Sequence, residues 1–340
     1  MKIAFVGNYQ YNCGSSNALL GYVKAGKSLG HDIRVSEFGY IDKIIRQVVP
    51  VAERSWNPDI LAIVYESYPF LSSQDLDEIR KNIPRSKILI IDPDCKYLEP
   101  CVLENDSNHQ TPDSYEYWTK LYNSLSDKIL QPTLDKITKG KVYKFIYYGI
   151  DTSNNFGDVK KDFDFLYVGN NWYRWNDIYN FVKSTSKIRK ELKSVAVMGN
   201  YWNGDVMEGY EKATYSNPDF LKKNNVEIIK SAPYGKVESS MGKGLINPIL
   251  VRPILNKLKL VTPRMFETFS ADTVPVVPEY FAHAIELYGD TVKELVLSNE
   301  KILMILKDYK KYLDISRGIR NKLIDEHSYE VRLKELIKFV

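Results

Sequence analysis

Two stretches of this 340-residue chain combine residue types and spacings that could do chemistry. In the first, Val261–Glu279, Arg264 and Glu267 lie three apart and so share one face of a short helix, ahead of the small Ala271 and a buried strand at Val274–Val277. An arginine can clasp a diphosphate with paired hydrogen bonds, and a carboxylate one turn on can accept from a ribose diol. The same two side chains could equally pair with each other on a helix surface. The second stretch is Ile90-Ile-Asp-Pro-Asp-Cys95, at the end of an apolar run. A strand-end carboxylate suits a general base; the DxD spacing of Asp92 and Asp94 also suits a metal and its phosphates; and aspartates after a strand often do no more than cap a turn. A third, weaker candidate is the turn at Gly169, where a glycine after a strand lets backbone N–H groups approach a pyrophosphate at a helix N-terminus. Arg174 could add charge there, with Lys243 or Arg252 as substitutes. Glu66 and His109 are further acid–base candidates, each of a type that also serves purely structural roles.

Positioning these groups requires a particular set of elements. The chain opens as a strand, Lys2 to Gly7, followed by a polar loop from Asn8 to Asn17 and a helix with apolar positions at Ala18, Leu19, Tyr22, Val23 and Leu29. Gly30 is its stop signal. Further strands are expected from His31, at Ile60–Tyr65 and at Lys87–Ile91, with a helix over Ser73–Asn82, and a short strand-like run falls within Lys139–Tyr148. The polar, glycine-punctuated stretch Gly149–Asp162 reads as a linker. The pattern then restarts, with strands at Phe163–Val168, Ser194–Met198, Val226–Ile229 and Val274–Val277. Helices are expected at Trp175–Ser184, Asn247–Leu258, Arg264–Ser270 and beyond Asn299. Alternating strands and helices imply parallel sheets covered on both faces, with ligands beyond the carboxyl ends of the strands. The fold class is therefore α/β, in two domains with a cleft between them.

Composition narrows the class. The chain is 44% hydrophobic and 26% charged, as in ordinary globular proteins, and carries a net charge of +4. No apolar run approaches the roughly 20 residues of a membrane helix, and the first strand turns polar at Asn8 too early for a signal-peptide core. A cytoplasmic location is the expectation. Cys13, Cys95 and Cys101 have no CxxC spacing and read as reduced thiols, and the four histidines are scattered, so no metal-ligand set is expected. Lys136, Lys139, Lys141 and Lys144, with Lys222 and Lys223, could meet phosphates, and Tyr115, Tyr117, Trp118 and Tyr122 could stack on a displaced base. Such runs also describe an ordinary solvated face.

Several blocks, in order along nearly the whole chain, carry a resemblance. The Arg264–Glu267 segment resembles the donor-binding signature of GT-B glycosyltransferases, above all the bacteriophage DNA β-glucosyltransferases and the CgeB-like spore-maturation group. Asp164-Phe-Leu-Tyr-Val-Gly-Asn-Asn-Trp-Tyr-Arg174 resembles the opening of their donor domain, Pro233-Tyr-Gly-Lys-Val237 the loop whose backbone reads uracil, and His327-Ser-Tyr-Glu-Val-Arg332 a C-terminal helix motif of the CgeB-like group. Ser86–Asp94 aligns without gaps with the phage block that ends in a catalytic aspartate, and Gly14-Ser-Ser-Asn-Ala18 is similar to the first turn of those enzymes.

The resemblance implies a GT-B fold: two Rossmann-like domains, 1–150 for the acceptor and 151–318 for the donor, with a helix over 319–340 crossing back to the first. It implies a UDP-sugar donor held by Gly169, Arg174, Val237 (through its backbone), Arg264 and Glu267. Asp94 would be the base, with Ser16, Asn17 and Glu66 on the acceptor side. Asn17 stands where the phage pattern has an acid, and an amide cannot take a proton. The implied acceptor is a hydroxymethylpyrimidine in DNA, or, in a CgeB-like enzyme, a protein, polysaccharide or small-molecule hydroxyl. Divalent Mg or Mn is compatible with this chemistry but not required by it.

Overall fold

The computed structural model of the protein describes residues 1–10, 13–66, 69–97, 114–135, 140–153 and 159–340. They form two compact units. The first comprises Met1–Asp151, Leu258–Pro263 and Glu326–Val340; the second comprises Thr152–Lys257 and Arg264–Asp325.

The first unit is built on seven strands: β1 (Lys2–Tyr9), β2 (Asp32–Ile41), β3 (Val51–Ala52), β4 (Ile60–Val64), β5 (Ile88–Ile91), β6 (Ile129–Gln131) and β7 (Val142–Lys144). They pair in the order β3-β2-β1-β4-β5-β6-β7, every pair parallel. Central strands of such a sheet are covered on both faces, which is why Ile3–Val6 and Ile60–Val64 are continuous apolar runs and are buried throughout. The helix Gly14–Leu29 ends at Gly30, whose φ of 74° is a left-handed conformation that favours glycine. Helix Ser73–Asn82 starts with a reciprocal capping box between Ser72 and Asp75.

The second unit has five strands: β8 (Phe163–Val168), β9 (Val195–Met198), β10 (Val226–Ile229), β11 (Gly244–Pro248) and β12 (Val274–Val276). Their order is β10-β9-β8-β11-β12, again all parallel. Both sheets are therefore doubly wound, and each reverses direction once: between β1 and β4 in the first, between β8 and β11 in the second. The carboxyl ends of the strands flanking such a reversal are where ligands of doubly wound sheets bind.

Three expectations change. The first helix begins at Gly14, so Gly14–Asn17 is its opening turn rather than loop. The helix expected over Asn247–Leu258 is instead the end of β11 followed, after an irregular stretch, by a short helix at Pro253–Lys257. Short apolar runs do not distinguish a buried strand from a helix, and here Asn247 is locked into the sheet by its amide donating to the Met241 carbonyl and the Thr273 hydroxyl. Finally, Leu258–Pro263 joins the first unit: the Leu134 and Lys259 backbones bond, as do those of Val261 and Pro132. The return of the chain to the first unit falls at Glu326, and there Tyr329 packs edge-on to Tyr22 at 5.3 Å.

Candidate functional sites on the two units

In the first unit the candidate side chains gather at the carboxyl edge around the β1/β4 reversal. Glu66 follows β4, and Asp92 and Asp94 follow β5, which is paired to β4 with Val64 opposite Ile91. The two aspartates have separate fates. Asp92 is fully buried, and its carboxylate accepts from the Tyr97 N–H (3.0 Å), the Tyr122 hydroxyl (3.2 Å) and the Gln131 amide (2.9 Å). It is the turn-holding residue, with both oxygens occupied. Asp92 and Asp94 therefore do not form a metal chelate, and the DxD reading is set aside. Among the described residues no three His, Cys, Asp or Glu side chains are grouped to hold a metal ion.

Asp94 is only partly buried and pairs with the Lys96 ammonium at 3.1 Å. Between them Cys95 takes a left-handed φ of 53°, an uncommon conformation for a residue with a side chain. Glu66 accepts the Ser15 backbone N–H at 3.2 Å, at the start of the helix that follows β1. Burial raises its carboxyl above the ordinary range, and the charge of Asp94 adds to that. Tyr148 is buried beside both carboxylates, and its hydroxyl is pushed well up, first by desolvation and then by Glu66 and Asp94. The Cys13 thiol is pushed to about 12, chiefly by burial and then by Glu66; it is therefore not a nucleophile.

Ser16 is buried, its hydroxyl donating to the Gln10 carbonyl and lying 2.9 Å from the Cys13 sulfur; it is committed inside the fold. Asn17 sits in the first helical turn with its N–H on the Cys13 carbonyl. Glu66 thus delivers a carboxylate to the very turn in which Asn17 offers an amide. Lys96 and Tyr148, which sequence reasoning missed, complete the cluster; the only sequence signal was Lys96 two residues beyond Asp94. His109, Cys101, Lys136 and Lys139 lie outside the described residues.

In the second unit the site is built around the turn after β8. Gly169 donates its N–H to the Met198 carbonyl and accepts from the Trp202 indole at 2.8 Å. Gly199 packs so tightly on it that a Cβ there would lie 2.2 Å from the Gly169 carbonyl oxygen. A Cβ on Gly169 itself would lie 2.8 Å from an Arg264 guanidinium nitrogen. Arg264 opens the helix Arg264–Ser270, lies 5.7 Å over the Tyr167 ring and touches the Met241 sulfur at 3.8 Å. Its guanidinium and the Glu267 carboxylate are 3.9 Å apart, too far for a hydrogen bond. Glu267 is 8% exposed, and burial raises its carboxyl while Arg264 opposes the rise. Among the described residues this is a loose pair with donors and acceptors left over, next to a glycine turn at the β8/β11 reversal.

The other donor-side candidates are less converged. Val237 starts the short helix Val237–Met241, its side chain packed on a core that includes Leu166, Val168 and Met241. Arg174 precedes helix Trp175–Ser184 and donates its backbone N–H to the Asn171 side-chain oxygen at 3.3 Å. Its charge acts on Asp177, whose carboxylate accepts from the Tyr280 hydroxyl at 3.1 Å. Asp177 and Tyr280 line a cavity of about 440 Å³ with Phe165, Phe181, Leu250 and Ile302. Arg174 Nη1 is buried with no hydrogen-bond partner among the described residues. Lys243 is corrected as a phosphate ligand: it precedes β11 and so lies at the amino edge of the sheet, opposite Gly169. Arg252 follows β11, on the carboxyl side.

No protein-family model and no curated protein sequence matches the chain. Solved structures do. A T4 phage β-glucosyltransferase, described for its substrate binding and catalytic mechanism, superposes with a TM-score of 0.61 at 15% identity, over 100% of this chain and 99% of its own. An α-glucosyltransferase in complex with UDP and a 13-mer DNA superposes at 0.66 with 13% identity, over 99% and 98%. Another structure of the T4 β-enzyme, holding UDP and Mn2+, superposes at 0.60 with 15% identity, over 100% and 99%. The fold is accordingly GT-B, built of two Rossmann-like α/β units.

Proposed function

We propose that the protein is a UDP-sugar-dependent glycosyltransferase whose acceptor is the hydroxymethyl group of a modified pyrimidine in DNA. The observation that carries this reading is the Arg264–Glu267 pair: a buried carboxylate and a half-buried guanidinium, not hydrogen-bonded to each other, with the arginine set against Gly169 beyond β8. The full-length likeness to glucosyltransferases that bind UDP and DNA supports it.

In this reading the second unit holds the donor. Arg264 takes the diphosphate, Glu267 the ribose diol, the Gly169 turn presents backbone N–H groups, and Val237 meets the uracil edge through its backbone. Arg174, with its unsatisfied Nη1, adds charge. The first unit takes the acceptor. Asp94 removes the acceptor hydroxyl proton as the new C–O bond forms at the sugar carbon and the bond to the diphosphate breaks. The diphosphate leaves with its charge met by arginine and N–H groups. Glu66, held at the Ser15 N–H, supplies the acceptor-side carboxylate that Asn17 cannot. Because a stacked base cannot reach such groups, the nucleotide must leave the helix. Lys141 and Lys144, whose run continues into the described residues, then meet the DNA backbone. A divalent ion is an optional accompaniment of the diphosphate, and the reaction belongs in the cytoplasm, of the host if the chain is phage-encoded.

The test is to incubate the protein with several UDP-sugars and with hydroxymethylated or unmodified duplex DNA, then to weigh the released nucleosides by mass spectrometry. A hexose or pentose added only to hydroxymethylated nucleosides is the expected result. Transfer to a protein, polysaccharide or small-molecule hydroxyl instead, with no salt-sensitive affinity for duplex DNA, would replace this reading with a CgeB-like one.

A further inference from the structure

Lys96 is 2% exposed. A buried ammonium is costly unless its charge is matched, so its surroundings indicate what it is for. Its Nζ donates to the Tyr65 main-chain carbonyl at 2.8 Å and sits 4.7 Å from the centre of the Trp118 ring. The ammonium pairs directly with Asp94 at 3.1 Å, and its charge also acts on the buried Asp92 and on Glu66. The carbonyl and the ring fix the ammonium from the strand end and from helix Ser114–Leu125, and among the described residues Asp94 is the partly exposed carboxylate in direct contact with it. Cys95, between the two, takes the left-handed φ of 53° within this turn.

We propose that Lys96 is the positioning residue for Asp94: anchored on the Tyr65 carbonyl and seated on the Trp118 ring, it fixes the Asp94 carboxylate and holds it charged, ready to accept a proton. This rests on the reading of Asp94 as the base. The titratable neighbours from the surrounding described elements are Cys13 at the first helix, Glu66 after β4, Asp92 on the same turn, Tyr122 on helix Ser114–Leu125 and Tyr148 beyond β7. All of these are groups that burial keeps toward the neutral form. Lys96 therefore distinguishes the carboxylates by contact: Asp94 is bound directly to the ammonium, whereas Glu66 is bonded to the Ser15 N–H and meets the same charge only at longer range. No covalent step involves Lys96; the acceptor proton goes to Asp94.

The experiment is the pH profile of kcat/KM for transfer from UDP-glucose to hydroxymethylated DNA in Lys96→Met, Lys96→Arg and Asp94→Asn, with circular dichroism and the melting transition as the check that the first unit of each variant is folded and UDP affinity as the check on the second. Removing the cation should move the acid limb of Lys96→Met upward by about one to three pH units, lower kcat and leave the KM for UDP-glucose unchanged. Lys96→Arg should return the limb toward its original position. A folded, UDP-binding Lys96→Met with an unmoved acid limb overturns the proposal. Should that variant fail to fold, Lys96→Arg decides alone: a longer, planar cation that keeps the acid limb supports it, and a limb displaced as far as one to three pH units overturns it. Asp94→Asn separates the two levels. Full activity there removes the base and with it this role for Lys96, whereas an inactive Asp94→Asn beside an unmoved Lys96→Met removes only Lys96.

Discussion

Glu66 and Glu267 share a physical predicament, since each is a carboxylate that burial drives toward its neutral form. A globular protein gains nothing from two such groups unless they have work to do. For Glu267 that work would be ribose binding. Replacing it with alanine removes a charge-assisted acceptor worth about 1.5–3 kcal/mol, so Glu267→Ala should weaken UDP binding roughly ten- to hundred-fold by calorimetry, with circular dichroism unchanged. An unaltered affinity would take that glutamate out of the site. For Glu66 the consequence is one of stability. A carboxyl raised in the folded state contributes stability that is intact below the ordinary carboxylate range and is lost as pH climbs through the raised value. Glu66→Gln, neutral at every pH and still able to accept the Ser15 N–H, should melt above the wild type at pH 8. The difference should vanish near pH 4; a gap independent of pH would show that its charge is not what the fold resists.

At the scale of elements, both candidate sites hang on turns that follow parallel strands. The turn after β8 is shaped by the approach of Gly199 to Gly169, which leaves no room for a side-chain carbon. Gly199→Ala drives a methyl into a backbone carbonyl, which cannot rotate away as a side chain would. It should cost about 1–3 kcal/mol by displacing the β8 turn, and UDP affinity should fall with it. A variant that melts and binds like the wild type would mean the turn can shift without consequence. The turn after β5 depends on Asp92 in a comparable way. Its three hydrogen bonds tie Tyr97, helix Ser114–Leu125 and β6 to one point, and so hold Asp94 and Lys96 at the edge.

At the scale of the molecule, the last fifteen residues of the sequence, Glu326–Val340, belong with the first unit. Tyr329, Leu333 and Leu336 are buried there, and Gly21 leaves the space the Tyr329 ring fills. Each such side chain stabilises by about 1.5–3 kcal/mol. A chain ending at Asp325 should therefore lose several kcal/mol from the first unit alone, seen calorimetrically as a lower melting transition, while UDP affinity is retained. Loss of UDP binding in that chain would show that the second unit depends on the tail.

Much of this was legible without coordinates, because it rests on local physics. Apolar runs identified β1, β4, β5, β8 (interrupted by Asp164) and β9; the glycine stop at Gly30 ended the first helix; and the three-residue spacing put Arg264 and Glu267 on one helical face. The α/β class followed from alternation alone. What the sequence left open depends on which strands become neighbours. Val64 opposite Ile91 brings Glu66 beside Asp94 across a gap of many residues, and no spacing announces that. The same holds for Lys96: a lysine two residues past an aspartate is commonplace until a left-handed turn, a strand-end carbonyl and a tryptophan ring enclose it. Asp92 and Asp94 are alike in sequence, yet tertiary hydrogen bonds bury one and leave the other half-open. Hydrophobic pattern selects the elements, but sheet order decides which polar groups meet, because only the folded chain removes them from water together.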